Sequence, residues 1–384
     1  MRNFASPEFK PLKADSATAR LIETPPFEHG SRTDTLFAEA MREAAHVHYR
    51  NCPQFRGVWK NAAFSPDDIK DISDIAKMPF IYVAAFKERA LSSVPTGRVE
   101  LELTSSGTSG QKSRIILDKT SLLRVRRIAY QVFNGLGMAD PKTPADSLCF
   151  TYDPAVADSL GTAFTDQLLT GLAGKGEVFY AIAWDKAKKE FYFDMDGALD
   201  AAARFEKSGR PVRVLGFPAH AMSLCEEFEK RLGRSLKLHP DSWVITGGGW
   251  KDKQDRAVDK SVMRARLARG LGLKTEKVRD LFGMVEHGVP YVDCPLGHFH
   301  VPVYGRVFAR DPQTLEVLPY GKKGLLQFVT PYLTSYPSVS LLTADWGRVE
   351  KECSCGLKGN VMVVEGRAGV KKLKGCAVSA SSVL

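Results

Sequence analysis

Strands and helices alternate through the middle of the chain, and this alternation limits the fold more than any other feature. Short apolar runs predict buried strands over 147–152, 177–182, 212–215 and 243–246. Helical periodicity predicts helices between and after them over 164–172, 198–208, 219–232 and 252–269. Strands separated by helices of this length usually pair in parallel. The sequence therefore predicts a layered α/β domain with parallel sheets.

The character of the chain changes beyond Asp280, where strands follow one another with Gly/Pro turns between them. Strands are predicted over 298–308, 324–330, 338–342 and 361–364. We expect a smaller, β-rich subdomain here.

Composition excludes several classes of protein. The chain is 44% hydrophobic and 26% charged, which is ordinary for a globular protein. It has no apolar run near the roughly 18 residues of a membrane span, and its N-terminus lacks the apolar core of a signal peptide. The net charge of +10 favours anionic ligands, but no zinc-finger, RNP or helix-turn-helix pattern suggests nucleic acid. Seven irregularly spaced cysteines fit a reducing compartment, so we expect a cytoplasmic protein.

A loop rich in glycine and hydroxyl side chains separates two strand-like runs, 101–103 and 115–117. Glycines let a ligand approach the backbone, and the N–H groups of such a loop can bind an anion. Composition alone leaves a phosphate site and a solvated hairpin loop both open. It is not a Walker A loop, because Gln111 separates Gly110 from Lys112.

Two further stretches indicate ligand contacts. Gly247, Gly248 and Gly249 follow a predicted strand, where a ligand can lie against the backbone. The alternative is a tight turn, which we expect to need one glycine rather than three. Glu286 stands between glycines and could hold Mg²⁺ on a nucleotide phosphate, although most Glu residues are simply solvated.

A cysteine and histidine set forms a candidate metal site. Three cysteines and one histidine would satisfy tetrahedral Zn²⁺. The predicted ligands are Cys294, His300, Cys353 and Cys355. We prefer His300 to His298, which follows a turn glycine and is expected to face outward. The alternative is a set of unliganded cysteines on a turn.

In their order along the chain, these motifs resemble the adenylate-forming (acyl-CoA synthetase/luciferase-like) superfamily, and within it the LuxE-like acyl-protein synthetases. The matching segments are FK at 86–87, TSSGTSGQKSR at 104–114, TGGGWK at 246–251, FGMVEHG at 282–288, CPLGHFHVP at 294–302, SYPSVSLLTADWG at 335–347, CSCG at 353–356 and GRAGVKKLKGC at 366–376. The resemblance implies an adenylation domain over 1–366, with its β-rich subdomain at about 281–366. A hinge and short tail would follow over 367–384, with the superfamily's mobile C-terminal domain largely missing.

The resemblance also implies the roles of individual residues. The loop would hold the ATP phosphates through Thr104, Ser105, Ser106, Gly107, Thr108, Ser109 and Gly110. Adenine would lie against Gly247, Gly248 and Gly249, and Phe282, Gly283 and Met284 complete the predicted nucleotide contacts. Glu286 would hold Mg²⁺, Asp345 would take the ribose hydroxyls, and Arg367 would assist. Lys112 is a candidate catalytic lysine, although which lysine serves adenylation stays open.

The implied reaction joins a fatty or aromatic acid to a thiol. A carboxylate attacks the α-phosphate of ATP, giving acyl-AMP and pyrophosphate, and a thiol then takes the acyl group. In the LuxE-like branch this thiol is a C-terminal cysteine, and Cys376 is at the matching place. Neighbouring lysines at 371, 372 and 374 would favour its thiolate. An incidental tail cysteine is the alternative.

The acid and its final acceptor are less constrained. The candidate walls for the acid are Phe150, Tyr152, Phe217, His220 and His287. The acceptor could instead be coenzyme A or a carrier-protein thiol. A non-catalytic nucleotide-binding scaffold for a reductase partner is the alternative from another class.

Overall fold

The computed structural model describes residues 9–104, 113–156, 161–250 and 257–367. The chain divides into two compact units, and each is assembled from separate stretches of sequence. The first unit contains Leu136–Phe282 and Val292–Gly297; the second contains Phe9–Gly135, Gly283–Tyr291 and the residues from His298 onward. All four strands predicted beyond Asp280 therefore share a unit with the N-terminal part of the chain. The predicted domain bounds, 1–366 and 367–384, stay a prediction.

In the described residues the chain forms nine α-helices and fifteen strands. The helices are α1 (Ala17–Ile22), α2 (Ser31–Asn51), α3 (Pro53–Asn61), α4 (Ala85–Glu88), α5 (Lys119–Gly135), α6 (Gly161–Thr170), α7 (Met195–Ser208), α8 (Pro218–Leu232) and α9 (Lys260–Leu271). The strands are β1 (Ile81–Tyr82), β2 (Val99–Thr104), β3 (Arg114–Asp118), β4 (Asp140–Tyr152), β5 (Ala173–Asp185), β6 (Glu190–Phe193), β7 (Val212–Gly216), β8 (Trp243–Gly247), β9 (Val278–Phe282), β10 (Tyr291–Val292), β11 (Phe299–His300), β12 (Arg306–Arg310), β13 (Lys323–Val329), β14 (Ser340–Glu350) and β15 (Val361–Arg367). None of the helices in these ranges is long and apolar enough to cross a membrane. The cytoplasmic location stays a prediction.

Seven strands form the sheet of the first unit, in the order β10-β9-β8-β7-β4-β5-β6. β4 pairs in parallel with β5 and β7, and parallel pairing continues through β8 to β9. At one edge, β6 is an antiparallel partner of β5. Apolar side chains on both faces of β7, such as Val212, Val214 and Leu215, are buried, as expected for a parallel strand covered on both faces. The predicted parallel α/β sheet is confirmed.

The helices of this unit begin and end where the sequence provides caps. α7 follows Asp194, whose carboxylate accepts a hydrogen bond from Gly197 N at 3.0 Å. It ends at Gly209, where φ is 67°, a left-handed conformation that favours glycine. α8 begins with Pro218 and ends in the same way at Gly233. These caps fix α7 and α8 against the strands that carry the candidate site residues.

The second unit contains a sheet in the order β11-β15-β14-β13-β12, with β1 parallel to β14. The other neighbours in this sheet are antiparallel. A separate antiparallel pair, β2 and β3, places Thr104 opposite Arg114. This pair confirms the predicted strands on either side of the glycine-rich loop.

Two predicted elements differ from the structure. The strand predicted over 298–308 is divided into β11 and β12, because Pro302 has no N–H for a ladder and Gly305 N bonds back to Pro302 O at 3.0 Å. The helix predicted over 252–269 begins at Lys260 in the described residues. Residues 257–259 are not helical, and Asp259 has an extended ψ of 145°.

Candidate active site

The glycine-rich loop is described only at its ends. Thr104 closes β2 and Arg114 opens β3. Arg114 donates from both its Nε and a terminal nitrogen to the Glu102 carboxylate, at 2.5 and 2.7 Å. Its charge is therefore engaged by the hairpin itself. The other predicted phosphate contacts, Ser105, Ser106, Gly107, Thr108, Ser109 and Gly110, lie outside the described residues, as does Lys112.

The glycine triplet lies at the end of β8 in the first unit: Gly247 is the last residue of the strand, and Gly248 and Gly249 follow it. Gly248 and Gly249 have φ values of 74° and 70°, which favour glycine. A Cβ on Gly247 would lie 3.1 Å from Leu281 O. The turn thus uses positive φ at two glycines, more than the single glycine expected for a tight turn. The adenine contact stays a prediction.

A network of charges behind this turn was missed by sequence reasoning. Thr246 donates its hydroxyl to Asp280 Oδ1 at 3.1 Å. Lys260 Nζ lies 3.2 Å from Asp280 Oδ2 and 3.5 Å from Asp293 Oδ2. Burial raises the pKa of the Asp293 carboxyl to about 6, opposed by the nearby Lys260 charge. The sequence offered two weak signals: Asp280 lies within one apolar strand segment, and Asp293 directly follows another.

The boundary between the two units falls within the FGMVEHG motif. Phe282 ends β9 in the first unit, whereas Gly283 and Met284 begin the segment Gly283–Tyr291 of the second. Met284 O accepts hydrogen bonds from His287 N at 3.1 Å and Gly288 N at 2.9 Å, which closes a turn. This turn needs glycine at 288, because φ is 72° and a Cβ would overlap the Tyr332 hydroxyl.

Glu286 is carried by this turn and is 6% exposed. Its charge adds to burial in raising the pKa of Tyr336, whose buried hydroxyl has no hydrogen-bond partner among the described residues. A buried carboxylate beside an unsatisfied hydroxyl is incomplete without a further polar group or cation. The role of Glu286 as the Mg²⁺ ligand stays a prediction.

His287 is fully buried in the second unit. Its Nε2 is 2.7 Å from the Tyr291 hydroxyl, and the two rings stack with centroids 5.7 Å apart. Burial lowers the pKa of His287 to about 3, so the ring is neutral at physiological pH. These contacts give His287 a role in the core, and its contact with the acid stays a prediction.

Asp345 and Arg367 are brought together as the resemblance implied. They are directly opposite on β14 and β15, and Arg367 Nε donates to Asp345 Oδ1 at 3.2 Å. Asp345 N donates to Thr343 Oγ1 at 3.1 Å, and Thr343 in turn donates to Leu326 O. The buried carboxylate is thereby fixed in place, with an exposed guanidinium beside it.

Four of the five predicted walls for the acid, all except His287, meet in the first unit. Tyr152, at the end of β4, has its ring 6.4 Å from that of Phe217, which lies 6.2 Å from the His220 ring. Phe150 joins through Phe193, whose ring stacks on His220 at 4.4 Å. Phe193 was missed, although the alternating aromatics of FYF at 191–193 mark one face of a strand.

The candidate metal ligands of the second unit are close together. His300 on β11 has its Nε2 3.2 Å from Cys355 Sγ. The donor atoms of His300, Cys353 and Cys355 all lie within 4.8 Å of one another. Donors that share one tetrahedral Zn²⁺ at about 2.0–2.3 Å lie roughly 3–4 Å apart, so these three side chains fit the ion.

The remaining two residues of this sequence motif, Cys294 and His298, lie in different units. Cys294 belongs to the first unit, where it is buried and its carbonyl accepts a hydrogen bond from Gly297 N at 2.9 Å. The expectation that His298 faces outward is wrong. Its side chain is half-buried, and its Nδ1 lies 3.2 Å from Cys353 Sγ.

Among solved structures, the fold is similar to that of 2-hydroxyisobutyryl-CoA ligase in the postadenylation state, in complex with R3-HIB-AMP. The TM-score is 0.67 with 16% identity, over 95% of this chain and 74% of that one. The same ligase in an open conformation, with 2-HIB-AMP and CoA, also gives 0.67 over 98% and 84% of the two chains. This likeness confirms the predicted fold class.

By sequence, the chain is 27% identical over 360 residues to the long-chain-fatty-acid–luciferin-component ligase of Vibrio harveyi, covering 90% of this chain and 87% of that protein. It is 24% identical over 342 residues to a phenylacetate-coenzyme A ligase of Thermus thermophilus, covering 87% and 69%. Both relatives are ligases by name.

A family model described as acyl-protein synthetase, LuxE, matches residues 12–384. The match confirms the resemblance and the predicted enzyme class, an acid–thiol ligase of the adenylate-forming type. The chain is therefore an enzyme that joins the acyl group of a carboxylic acid to its acceptor. It belongs to the LuxE family of acyl-protein synthetases.

Proposed function

We propose that this chain uses ATP and Mg²⁺ to activate a fatty or aromatic acid and then passes the acyl group to its own Cys376. The observation that carries the nucleotide site is the pair of Asp345 and Arg367 on β14 and β15. A fixed carboxylate suits the two vicinal hydroxyls of a ribose, because it accepts a hydrogen bond from each. Arg367 orients that carboxylate through the hydrogen bond from its Nε.

The remaining nucleotide contacts follow the motifs. The backbone of Gly247, Gly248 and Gly249 receives adenine, and Phe282, Gly283 and Met284 are further nucleotide contacts in this proposal. Glu286 holds Mg²⁺, which would neutralise charge on the phosphates as pyrophosphate leaves. Burial of Glu286 beside the unsatisfied Tyr336 hydroxyl supports this role.

In the reaction, an oxygen of the acid attacks the α-phosphorus and the bond to the bridging oxygen of pyrophosphate breaks. The Cys376 thiolate then attacks the acyl carbon, AMP leaves, and a thioester remains on the enzyme. The protein contributes positioning and charge stabilisation. Cys376 lies outside the described residues, so its role rests on the family match and its place in the LKGC motif.

Coenzyme A is the second candidate acceptor, favoured by the similarity to a phenylacetate-coenzyme A ligase. The two acceptors are separated by supplying acid and ATP with and without coenzyme A. AMP release that requires coenzyme A identifies it as the acceptor, whereas one turnover of AMP per enzyme without coenzyme A supports Cys376. A nucleotide-binding scaffold would form no acyl-AMP at all.

We also propose a structural Zn²⁺ held by Cys294, His300, Cys353 and Cys355. The grouping of the last three donors supports it. Cys294 precedes His300 by six positions, and three cysteines with one histidine complete a closed tetrahedral set. The ion would fix the turn that precedes β15, the strand that carries Arg367.

Exchange of labelled pyrophosphate into ATP tests the adenylation step directly. We expect exchange that depends on the acid, across a panel of butyrate, octanoate, hexadecanoate and phenylacetate. ATP binding without exchange for any acid would contradict the proposed function.

A further inference from the structure

Tyr336, a fully buried residue of the second unit, carries a hydroxyl that the protein does not use. The residue is 0% exposed, and this hydroxyl makes no hydrogen bond among the described residues. The buried hydroxyls of Tyr291 and Tyr304 are both satisfied, by His287 Nε2 at 2.7 Å and by Thr24 O. Burying a hydroxyl without a partner costs free energy, so stability does not explain the hydroxyl of Tyr336.

The tyrosine is held in place by contacts that do not involve its hydroxyl. Its ring packs on that of Phe86, with centroids 4.5 Å apart. The preceding residue, Ser335, donates its hydroxyl to Ile116 O at 2.8 Å, and Ser338 N donates to Tyr336 O at 2.8 Å. With ring and backbone both fixed, the phenol has little freedom to turn toward another protein group.

Glu286 is the charged group that acts on this hydroxyl. It is 6% exposed and belongs to the same unit. Burial, together with the charge of Glu286, raises the pKa of Tyr336 well above its ordinary value. The phenol is therefore protonated at physiological pH and can donate a hydrogen bond. Because its hydroxyl is not bonded to the Glu286 carboxylate, Tyr336 does not serve to orient that carboxylate.

A carboxylate and a neutral donor in the same buried region together fit one kind of ligand. An anion alone would be repelled by Glu286, and a cation alone would leave the hydroxyl proton without an acceptor. A phosphate group that shares its charge with a divalent cation satisfies both side chains. The carboxylate binds the cation, and the hydroxyl donates to a phosphate oxygen.

We propose that the Tyr336 hydroxyl donates a hydrogen bond to a phosphate oxygen of the ATP whose Mg²⁺ is bound by Glu286. This rests on the proposed function, in which Glu286 holds Mg²⁺ at the nucleotide phosphates. A fixed donor at this position stabilises the bound nucleotide and the charge that develops as pyrophosphate leaves. Tyr336 is then a nucleotide-binding residue whose hydroxyl contributes to activity and not to folding.

The test is Tyr336→Phe, which removes the hydroxyl and keeps the ring that packs on Phe86. ATP binding is measured by calorimetry in the presence of Mg²⁺, and kcat/KM for ATP is measured in pyrophosphate exchange with the most active acid of the panel. We expect both to weaken by about tenfold or more, because a hydrogen bond to a charged group is lost. The midpoint of unfolding by urea should be unchanged or higher, since no partner within the protein is left unpaired.

Tyr304→Phe is the matched control, because it removes a buried tyrosine hydroxyl that does have a protein partner, Thr24 O. The opposite result is expected for this variant. Its urea midpoint should fall, since the buried carbonyl oxygen loses its donor, while ATP binding and kcat/KM for ATP should stay within about twofold of the wild type.

Unchanged ATP binding and kcat/KM in Tyr336→Phe, beside an active wild type, would overturn the role of Tyr336 while leaving adenylation intact. A lower urea midpoint for this variant would overturn it too, since the hydroxyl would then contribute to folding. Absence of exchange with every acid in the wild type would remove the proposed function, and the role of Tyr336 with it.

Discussion

Asp345 lies directly opposite Arg367 on neighbouring antiparallel strands, and Arg367 Nε donates to Asp345 Oδ1 at 3.2 Å. The Asp345 side chain is 12% exposed and the Arg367 side chain 72%. The exposed Arg367 guanidinium therefore orients the largely buried Asp345 carboxylate from one side. This arrangement supports the proposed contact of Asp345 with the ribose hydroxyls.

Asp345→Ala should weaken ATP binding, because a hydrogen bond to a charged group contributes about 1.5–3 kcal/mol. We expect the KM for ATP in pyrophosphate exchange to rise roughly 10- to 100-fold, and Arg367→Ala to have a smaller effect in the same direction. Glu365→Gln is the matched control on β15. Glu365 forms ion pairs with Lys323 on β13 and Arg348 on β14, and it is not a predicted nucleotide contact. A KM for ATP that is the same in Asp345→Ala and the control would remove Asp345 from the ribose site.

Gly288→Ala should destabilise the turn that carries Glu286. The positive φ of 72° and the overlap of a Cβ with the Tyr332 hydroxyl make the substitution strained. We expect a loss of about 1–3 kcal/mol in the free energy of unfolding by urea, together with lower exchange activity. Gly283→Ala in the same motif is the control for the free energy of unfolding alone, because Gly283 lacks positive φ and a Cβ there meets nothing within 4 Å. Similar losses for both variants would show that backbone geometry at Gly288 is not the cause.

Purified protein that has not met a chelator should contain about one equivalent of zinc per chain. Cys355→Ser and His300→Ala should each lower this content and the thermal midpoint, since a structural ion contributes directly to folding. Cys52→Ser is the control, because Cys52 is a buried free cysteine outside the candidate set. Less than about half an equivalent in the wild type, measured by elemental analysis, would count against the site.

Asp166 on α6 should make stability depend on pH. Its carboxyl is 4% exposed, its Oδ2 has no hydrogen-bond partner among the described residues, and burial raises its pKa to about 7. Between about pH 4 and pH 7 the unfolded chain loses this proton while the folded chain keeps it, so stability falls as pH rises. Asp166→Asn should therefore gain stability relative to the wild type from pH 5 to pH 8 in urea unfolding. A constant difference across that range would contradict the burial effect.

The sequence predicted local elements better than contacts between distant residues. The strand at β7 and helix α8 were predicted from an apolar run and from helical periodicity, which are both local signals. The network of Lys260, Asp280 and Asp293 was not, since it depends on strands and a helix meeting in space. The same is true of Trp184 and Phe191, which are paired by the register of β5 and β6. Resemblance supplied the partnership of Asp345 and Arg367, which no periodicity in the sequence indicates.

The central claim is that the chain activates an acid and carries the acyl group on Cys376. Intact mass after incubation with hexadecanoate, ATP and Mg²⁺ tests it most directly, with wild type and Cys376→Ser compared side by side. We predict a wild-type adduct equal to the acyl group, removed by hydroxylamine as expected for a thioester. Cys376→Ser should show no adduct while still exchanging pyrophosphate. Equal acyl labelling of both proteins, or no labelling of the wild type, would contradict the claim.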